Sequence, residues 1–311
     1  MSASPEPALA AVARPTRVAP RAAAADLAVL RTVVYAGLFE FPLTLAELHR
    51  RLMDVPLEHG TLRARLAAPF LRERLVLSDG LVVPRGRESW LALRQRRAEH
   101  SRELVARHRP FLELLCRFPF VRLVALSGAC AHENASDDDV DIFLIVKRER
   151  AWAVTLALML LSRGAGVRRT LCLNYVLDEA AAALPEAELF TAAEIVGMRP
   201  LAGRRAYRSF VNANGWVARF FPNFYRAHIE ESELLPEAGA PAWLERSLEL
   251  GPAPLLEALG RLALGPYLRR KARGAPGVVL SPHQLKLHLE DHRPELTVAF
   301  ARALRDTEPL A

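Results

Sequence analysis

The feature that most constrains the fold is a pair of apolar segments joined by a polar loop near the middle of the chain. The segments cover residues 121–126 and 141–146. Both have the length and the β-branched content of buried strands. The loop begins with the small pair Ser127-Gly128 and reaches Asp139 just before the second segment. We therefore expect two strands joined at a polar end that gathers small and acidic residues.

The acidic end of this unit has the alternation of a strand, because Asp139 and Asp141 are separated by Val140 and followed by Ile142. Successive side chains of a strand point to opposite faces, so both carboxylates are predicted to share one face. Paired carboxylates repel each other unless a cation neutralises them, and hard oxygen ligands suit Mg²⁺ or Mn²⁺. The pair is a candidate metal site. A solvated acidic turn that enters a strand is the alternative.

Ser127 and Gly128 are candidate nucleotide-binding residues. A residue without a Cβ atom lets backbone N–H groups approach and cradle a phosphate. A cation held by Asp139 and Asp141 would polarise the phosphorus centre and steady a pyrophosphate leaving group. The segment therefore has the parts that phosphoryl or nucleotidyl transfer requires.

In these residues the chain resembles the DNA polymerase β-like nucleotidyltransferase superfamily, whose signature is a small-residue pair, a spacer and Asp-hydrophobic-Asp-hydrophobic. The resemblance covers roughly residues 120 to 180, and the chain also looks like bacterial proteins that place a winged helix before this domain. It implies an α+β fold in which a small mixed sheet with helices forms the nucleotidyltransferase core. Asp139 and Asp141 are then the implied catalytic metal ligands.

Two departures from the superfamily pattern concern catalysis. Ser127-Gly128 inverts the commoner Gly-Ser order. The superfamily takes a third carboxylate from a later strand, but the strand predicted at residues 171–177 carries Asn174 and is followed by Asp178. An amide oxygen can ligate a metal but cannot act as a carboxylate base. Asn174 and Asp178 are the two candidate positions for the third group.

Five segments are expected along the chain. They are a disordered tail at 1–25, a winged-helix-like domain at 26–86, a connecting helix at 87–118, the nucleotidyltransferase core at 119–200 and a helical C-terminal region at 201–311. The tail combines Pro, Ala and Arg without apolar periodicity. Thr44 and Glu47 have the spacing of a helix capping box, and helices followed by a hairpin indicate a winged helix.

Composition restricts the partners and the compartment. There are 42 Lys and Arg against 35 Asp and Glu, a formal charge of +7, which permits nucleic-acid binding without requiring it. The longest apolar run, residues 151–161, is shorter than the ~20 residues that span a bilayer. Scattered Cys116, Cys130 and Cys172 make neither a disulfide framework nor a zinc-thiolate site. A cytoplasmic protein without a membrane span is predicted.

Two weaker patterns leave alternatives open. Arg163, Arg168 and Arg169 precede the third strand and are either triphosphate ligands or solvent-facing residues. His288 and His292 have the spacing of zinc ligands on a helix, expected here over residues 282–305, or are chance surface histidines. The basic run at 269–273 is read as solvated surface.

The leading functional expectation is Mg²⁺-dependent transfer of a nucleoside monophosphate from an NTP to a hydroxyl or phosphate acceptor that the sequence does not identify. The alternative is a catalytically degenerate nucleotidyltransferase-fold regulator that binds DNA or a protein partner through its winged helix. Asn174 favours the alternative. The predicted helix over residues 58–74 opposes it, because its arginines are balanced by glutamates and leave only a modest phosphate-binding face.

Overall fold

A computed structural model describes residues 21–272, 275, 277–287 and 292–307. Within these residues the chain has a mixed α+β fold with two sheets. The expected tail lies outside the described residues up to position 20, but its last five positions belong to the first helix, which begins at Arg21. The sequence boundary at residue 25 was therefore too late. None of the described helices is both long and apolar enough to cross a membrane.

The N-terminal elements form a small sheet covered by helices. They are α1 (Arg21–Gly37), β1 (Leu43–Thr44), α2 (Leu45–Arg50), α3 (His59–Leu66), α4 (Pro69–Arg72), β2 (Leu75–Ser78) and β3 (Leu81–Pro84). The antiparallel strand order is β1-β3-β2. The predicted capping box starts α2: the Thr44 hydroxyl accepts from the Glu47 N–H at 3.1 Å, and the Glu47 carboxylate accepts from the Thr44 N–H at 2.8 Å. Pro69 separates α3 from α4 because proline suits the first turn of a helix.

The middle of the chain supplies the larger sheet. Its elements are α5 (Ser89–Cys116), β4 (Val121–Ser127), α6 (Gly128–Ala131), β5 (Val140–Val146), α7 (Ala151–Gly164), β6 (Leu171–Asp178), α8 (Leu189–Gly197) and β7 (Arg199–Ala202). The long helix and the three apolar strands that the sequence predicted are confirmed. β4 runs antiparallel to β5, whereas β5 and β6 are parallel and are joined through α7.

The region at 201–311 is mainly helical, as predicted, but two short strands that the sequence analysis did not predict lie in its last third. The elements there are α9 (Arg204–Ala213), α10 (Pro222–Ser232), α11 (Ala242–Leu250), α12 (Ala253–Lys271), β8 (Val278–Leu280), β9 (Gln284–Leu287) and α13 (Arg293–Thr307). β8 and β9 extend the larger sheet to the order β7-β4-β5-β6-β9-β8. β9 occupies part of the helix expected over 282–305, because it pairs with β6 and buries Leu285 completely.

Apolar cores cover both faces of the larger sheet. Phe143 and Ile145 of β5 belong to a core that continues through α9 and α10 into the N-terminal elements. Ile142 and Leu144 belong to a second core with residues of α5, α7 and α12. This alternation buries β5 on both faces and leaves its polar beginning, at Asp139 and Asp141, at the end of the sheet.

Candidate functional site

The acidic pair lies where β4 ends and β5 begins. Asp141 stands opposite Ser127 in the antiparallel β4–β5 pair and opposite Cys172 in the parallel β5–β6 pair. Asp139 immediately precedes β5 and is exposed, Asp141 is half-buried, and Val140 between them is fully buried. The structure thus brings the two aspartates and Ser127 together at one end of the sheet.

Gly128 is in close contact with Asp141. It follows Ser127 directly and has φ +61°, a left-handed conformation that favours glycine. A Cβ atom at position 128 would lie 2.3 Å from Oδ2 of Asp141. Only a residue without a side chain therefore allows the loop after β4 to approach the carboxylate this closely.

Among the described residues, no cationic side chain lowers the pKa of either aspartate. Burial raises the pKa of Asp141 to about 7, helped by the negative charges of Asp139, Asp137 and Glu194. Burial and the neighbouring Asp137 and Asp138 also raise the pKa of Asp139. A cation placed between such groups would relieve their repulsion and favour the ionised forms.

Asn174 belongs to the site. It lies on β6, and its Nδ2 amide donates a hydrogen bond to Oδ1 of Asp141. Asn174 thereby fixes the orientation of that carboxylate. It does not supply the third carboxylate of the superfamily pattern.

Asp178 does not lie at the site. It stands opposite Val146 at the far end of the parallel β5–β6 pair, whereas Asp141 stands opposite Cys172. Its carboxylate is fully buried, caps the following turn by accepting from the Ala180 N–H at 2.9 Å, and pairs with Nδ1 of His283 at 2.7 Å. Asp178 is therefore a structural residue that joins β6 to the segment before β9.

Glu194 is a site residue that the sequence analysis missed. It lies on α8 and is close enough to raise the pKa of Asp141. Burial raises its own pKa against the lowering effects of Arg51 and Lys286. The signal for it was a single charged residue in an otherwise apolar helix. Only the folded structure reveals its position, because Glu194 lines one cavity together with Gly128 and another together with Ser127.

A polar cleft of about 390 Å³ opens beside Asp139. Its wall includes Asn174 and two cationic side chains, Arg168 and Lys271. Arg168 is one of the three arginines that the sequence offered as triphosphate ligands, and the other two, Arg163 and Arg169, are exposed. Lys271 comes from the basic run that was read as solvated surface. Two cationic side chains thus share one cleft with Asp139 and with Asn174, the hydrogen-bond partner of Asp141.

The chemistry of the donor set bears on which metal would fit. Among the described residues, no group of three or more His, Cys, Asp or Glu side chains is placed to hold a metal ion. Two carboxylates are too few to enclose a cation, but Mg²⁺ is commonly bound by one or two carboxylates together with water and substrate phosphates. Asp139 and Asp141 therefore fit Mg²⁺ or Mn²⁺ shared with a nucleotide.

The histidine pair receives no such support. His288 lies outside the described residues, β9 ends at Leu287 and His292 precedes α13. The zinc prediction required both histidines on one turn of a continuous helix, and the helix begins only after His292. A helical zinc site of that spacing is therefore absent at His292.

No family model, curated protein or solved structure matches this chain. The resemblance to the polymerase β-like superfamily therefore rests on the motif residues alone. The function proposed below therefore depends on the geometry of the site.

Proposed function

We propose that the protein is an Mg²⁺- or Mn²⁺-dependent nucleotidyltransferase that moves a nucleoside monophosphate from an NTP to a hydroxyl or phosphate acceptor. The observation that carries the proposal is the packing of Gly128 against Asp141, with Asp139 at the mouth of a cationic cleft. The carboxylate pair and the glycine loop lie near two cationic side chains, Arg168 and Lys271. This arrangement suits a metal–triphosphate complex.

Each residue has a defined role in this proposal. Asp139 and Asp141 hold the cation, and Asn174 keeps the Asp141 carboxylate in place through its hydrogen bond. Arg168 and Lys271 attract the negative charge of the triphosphate. When bound, the cation polarises the α-phosphate and neutralises the departing pyrophosphate.

Strand order supports the finer fold assignments that the proposal needs. An antiparallel β4–β5 pair beside a parallel β6 suits a nucleotidyltransferase core built on a small mixed sheet. The N-terminal succession of helix, strand, helices and hairpin, with the sheet order β1-β3-β2, suits a winged-helix-like domain. The acidic strand β5 lies next to the centre of the larger sheet, which makes it a rigid support for a metal site.

The structure gives less support to the DNA-binding alternative. On α3, Arg65 is paired with Asp26 at 2.6 Å. Arg74 after α4 stacks on the Phe70 ring at 4.1 Å. Asp79 occupies the turn between β2 and β3, where a wing would meet phosphates. Several groups that would have to contact DNA are thus engaged within the protein or carry the wrong charge.

The cleft cations provide the experiment that tests the proposal. An Arg168→Ala, Lys271→Ala variant is expected to bind the Mg²⁺ complex of an NTP at least about tenfold more weakly, because each removes a charge-assisted phosphate contact. Its affinity should also depend less steeply on salt. Isothermal titration calorimetry at two salt concentrations measures both effects.

The matched control replaces the neighbouring exposed residues, Arg169→Ala and Arg270→Ala, and so removes the same net charge from outside the cleft. The control should retain wild-type affinity. Equal affinities of the two double variants would show that the cleft does not receive the triphosphate.

A further inference from the structure

An internal cavity of about 190 Å³ lies behind the acidic pair, between the N-terminal elements and the core. Its wall is mostly aromatic and aliphatic, with contributions from Tyr35, Phe39, Phe41, Leu43, Met53 and Phe221. Gly128 forms part of the same wall. A Cβ on Gly128 would lie 2.3 Å from Oδ2 of Asp141, so the same glycine borders both the cavity and the carboxylate.

The cavity has one polar end. Arg51, His132 and Glu194 line it there. Nη2 of Arg51 donates to Nδ1 of His132 at 2.7 Å, so this histidine nitrogen is an acceptor and the ring is neutral. Burial, followed by the nearby arginine charges, holds the pKa of His132 well below its usual value, in agreement with that neutral form. A cationic side chain, Arg51, and a carboxyl side chain, Glu194, thus line the same end of the cavity.

Tyr35 brings a hydroxyl group to the same end. Burial raises the pKa of Tyr35, the charge of Glu194 adds to this effect, and both residues line the same cavity. The charge of Arg51 acts in the opposite direction. This end of the cavity therefore places the acceptor oxygens of Glu194 beside hydrogen-bond donors, and an ionised Glu194 offsets the charge of Arg51. A neutral polar group is the complement that it fits.

The volume restricts the size of an occupant. An apolar cavity of about 150 Å³ accommodates benzene, so one slightly larger accommodates a substituted benzene of roughly ten heavy atoms. An ionised ligand would lose its hydration on entering the cavity. It would gain little in return, because any attraction to Arg51 or Glu194 is countered by the opposite charge of the other. The cavity therefore suits a small, neutral and mainly apolar molecule with one hydrogen-bonding group.

We propose that this cavity binds the acceptor of the transfer reaction, and that the acceptor is a small, neutral, mainly apolar molecule carrying one hydroxyl group. The inference rests on the proposed nucleotidyltransferase function. Glu194 accepts the hydrogen bond of the acceptor hydroxyl, since it faces both this cavity and the smaller one of about 100 Å³ that Ser127 and Lys286 line.

In the transfer step the hydroxyl oxygen forms a bond to the α-phosphorus of the NTP, and the bond from that phosphorus to the pyrophosphate oxygen breaks. The hydroxyl proton passes to the Glu194 carboxylate and then to solvent. Pyrophosphate leaves with the electron pair of the broken bond. Glu194 thereby supplies from α8 the proton acceptor that Asn174 cannot be.

The test uses 4-ethylphenol as the probe and 4-ethyltoluene, which lacks the hydroxyl group, as its matched control. The full-length protein without nucleotide should bind 4-ethylphenol at least about tenfold more tightly, because the toluene leaves the Glu194 carboxylate without a hydrogen bond. Ligand-observed NMR and calorimetry report the two affinities. Equal affinity for the two compounds would overturn the inference.

Two variants locate the binding. Ala193→Leu adds a side chain to the cavity wall and should weaken 4-ethylphenol binding at least about tenfold. Ala92→Leu, at an exposed position of α5, should not. Should Ala193→Leu unfold, as judged by circular dichroism, Glu194→Gln decides: it keeps the shape of the site and should reduce the preference for the phenol, because a neutral amide oxygen accepts a weaker hydrogen bond than a carboxylate. Glu103→Gln, exposed on α5, is its control.

Binding of Mg²⁺–NTP to the same samples separates the two proposals. A wild-type protein that binds NTP but not 4-ethylphenol overturns the acceptor cavity and leaves nucleotidyl transfer standing. A protein that binds 4-ethylphenol but no NTP overturns the acceptor role, because the reaction on which it rests is then absent.

Discussion

Gly128 is the residue on which the candidate site depends most visibly. Its left-handed backbone and its contact with Asp141 are separate requirements, and glycine meets both. Gly80, in the turn between β2 and β3, also has a positive φ of +76°, but a Cβ there would meet nothing within 4 Å. Comparing alanine substitutions at the two glycines therefore separates the effect of backbone strain from the effect of disturbing Asp141.

Both Gly128→Ala and Gly80→Ala should lower the free energy of unfolding by about 1–2 kcal/mol, the usual penalty for a left-handed alanine. Gly128→Ala alone should also weaken Mg²⁺–NTP binding at least about tenfold, because its methyl group displaces the Asp141 carboxylate. Urea denaturation and calorimetry measure the two effects. NTP binding by Gly128→Ala that equals that of Gly80→Ala would contradict the assignment of Gly128.

For single residues, the sequence predicted those whose role depends on their spacing along the chain. Asp139 and Asp141 alternate along one strand, and Gly128 follows the preceding one, so their meeting could be expected. Asp178 could not be excluded and Glu194 could not be found from spacing. The register of β5 with β6 decides the position of Asp178, and the packing of α8 decides that of Glu194.

Among the elements, the long apolar segments and the short hairpin of β2 and β3 were predicted correctly, but β8 and β9 were not. β8 and β9 have three and four residues, and β9 exists because it pairs with β6, where Lys286 stands opposite Tyr175. Such a pairing joins residues far apart in the chain and leaves little local periodicity. The sequence pattern therefore predicted one helix over residues 282–305, whereas β9 occupies residues 284–287 and α13 begins at Arg293.

Glu245 joins helix α11 to the larger sheet. Glu245 is buried and accepts hydrogen bonds from the Phe120 N–H at 2.7 Å and from Nη2 of Arg122 at 2.6 Å. Burial alone would raise the pKa of Glu245, but the hydrogen bonds and charge of Arg122, with the Phe120 N–H, lower it below its ordinary value of 4.5. The ionised form is thus the one that stabilises the fold.

Glu245→Gln should lower the free energy of unfolding at neutral pH by about 2 kcal/mol, since the charge-assisted bonds to Arg122 are lost. A lowered folded-state pKa contributes stability that is present above 4.5 and disappears as pH falls through the folded value. The gap between wild type and variant should therefore shrink in acid. Urea denaturation from about pH 7 to pH 3 measures it. A gap that stays constant would contradict this role.

Across the whole molecule, the N-terminal elements and the core are joined around Arg94 of α5. This side chain is only 9% exposed. It pairs with Glu47 of α2 at 2.9 Å and donates to the backbone oxygens of His132 and Glu133, at 2.9 and 2.6 Å, in the loop after α6. That loop follows Gly128, so the same arginine braces the acidic site and the cavity behind it.

Arg94→Met should lower the free energy of unfolding by about 3 kcal/mol, because the methionine fills space but leaves Glu47 and two carbonyl groups without their buried partner. Arg96→Met, at an exposed position of the same helix, should change it by less than about 0.5 kcal/mol. Urea denaturation compares the two variants. Equal losses would show that Arg94 does not join the two parts.

The central claim is that Asp139 and Asp141 hold a cation for a bound nucleotide. Calorimetry should compare the wild type with an Asp139→Asn, Asp141→Asn variant, and with an Asp137→Asn, Asp138→Asn control that removes two exposed carboxylates from the same loop. Circular dichroism verifies that all three proteins are folded.

We predict that the wild type and the control bind an NTP only when Mg²⁺ or Mn²⁺ is present, and that the Asp139→Asn, Asp141→Asn variant binds at least about tenfold more weakly, because it lacks the carboxylates that hold the cation. A folded wild-type protein that binds no common NTP with either metal would contradict the account. So would binding that survives replacement of both aspartates unchanged.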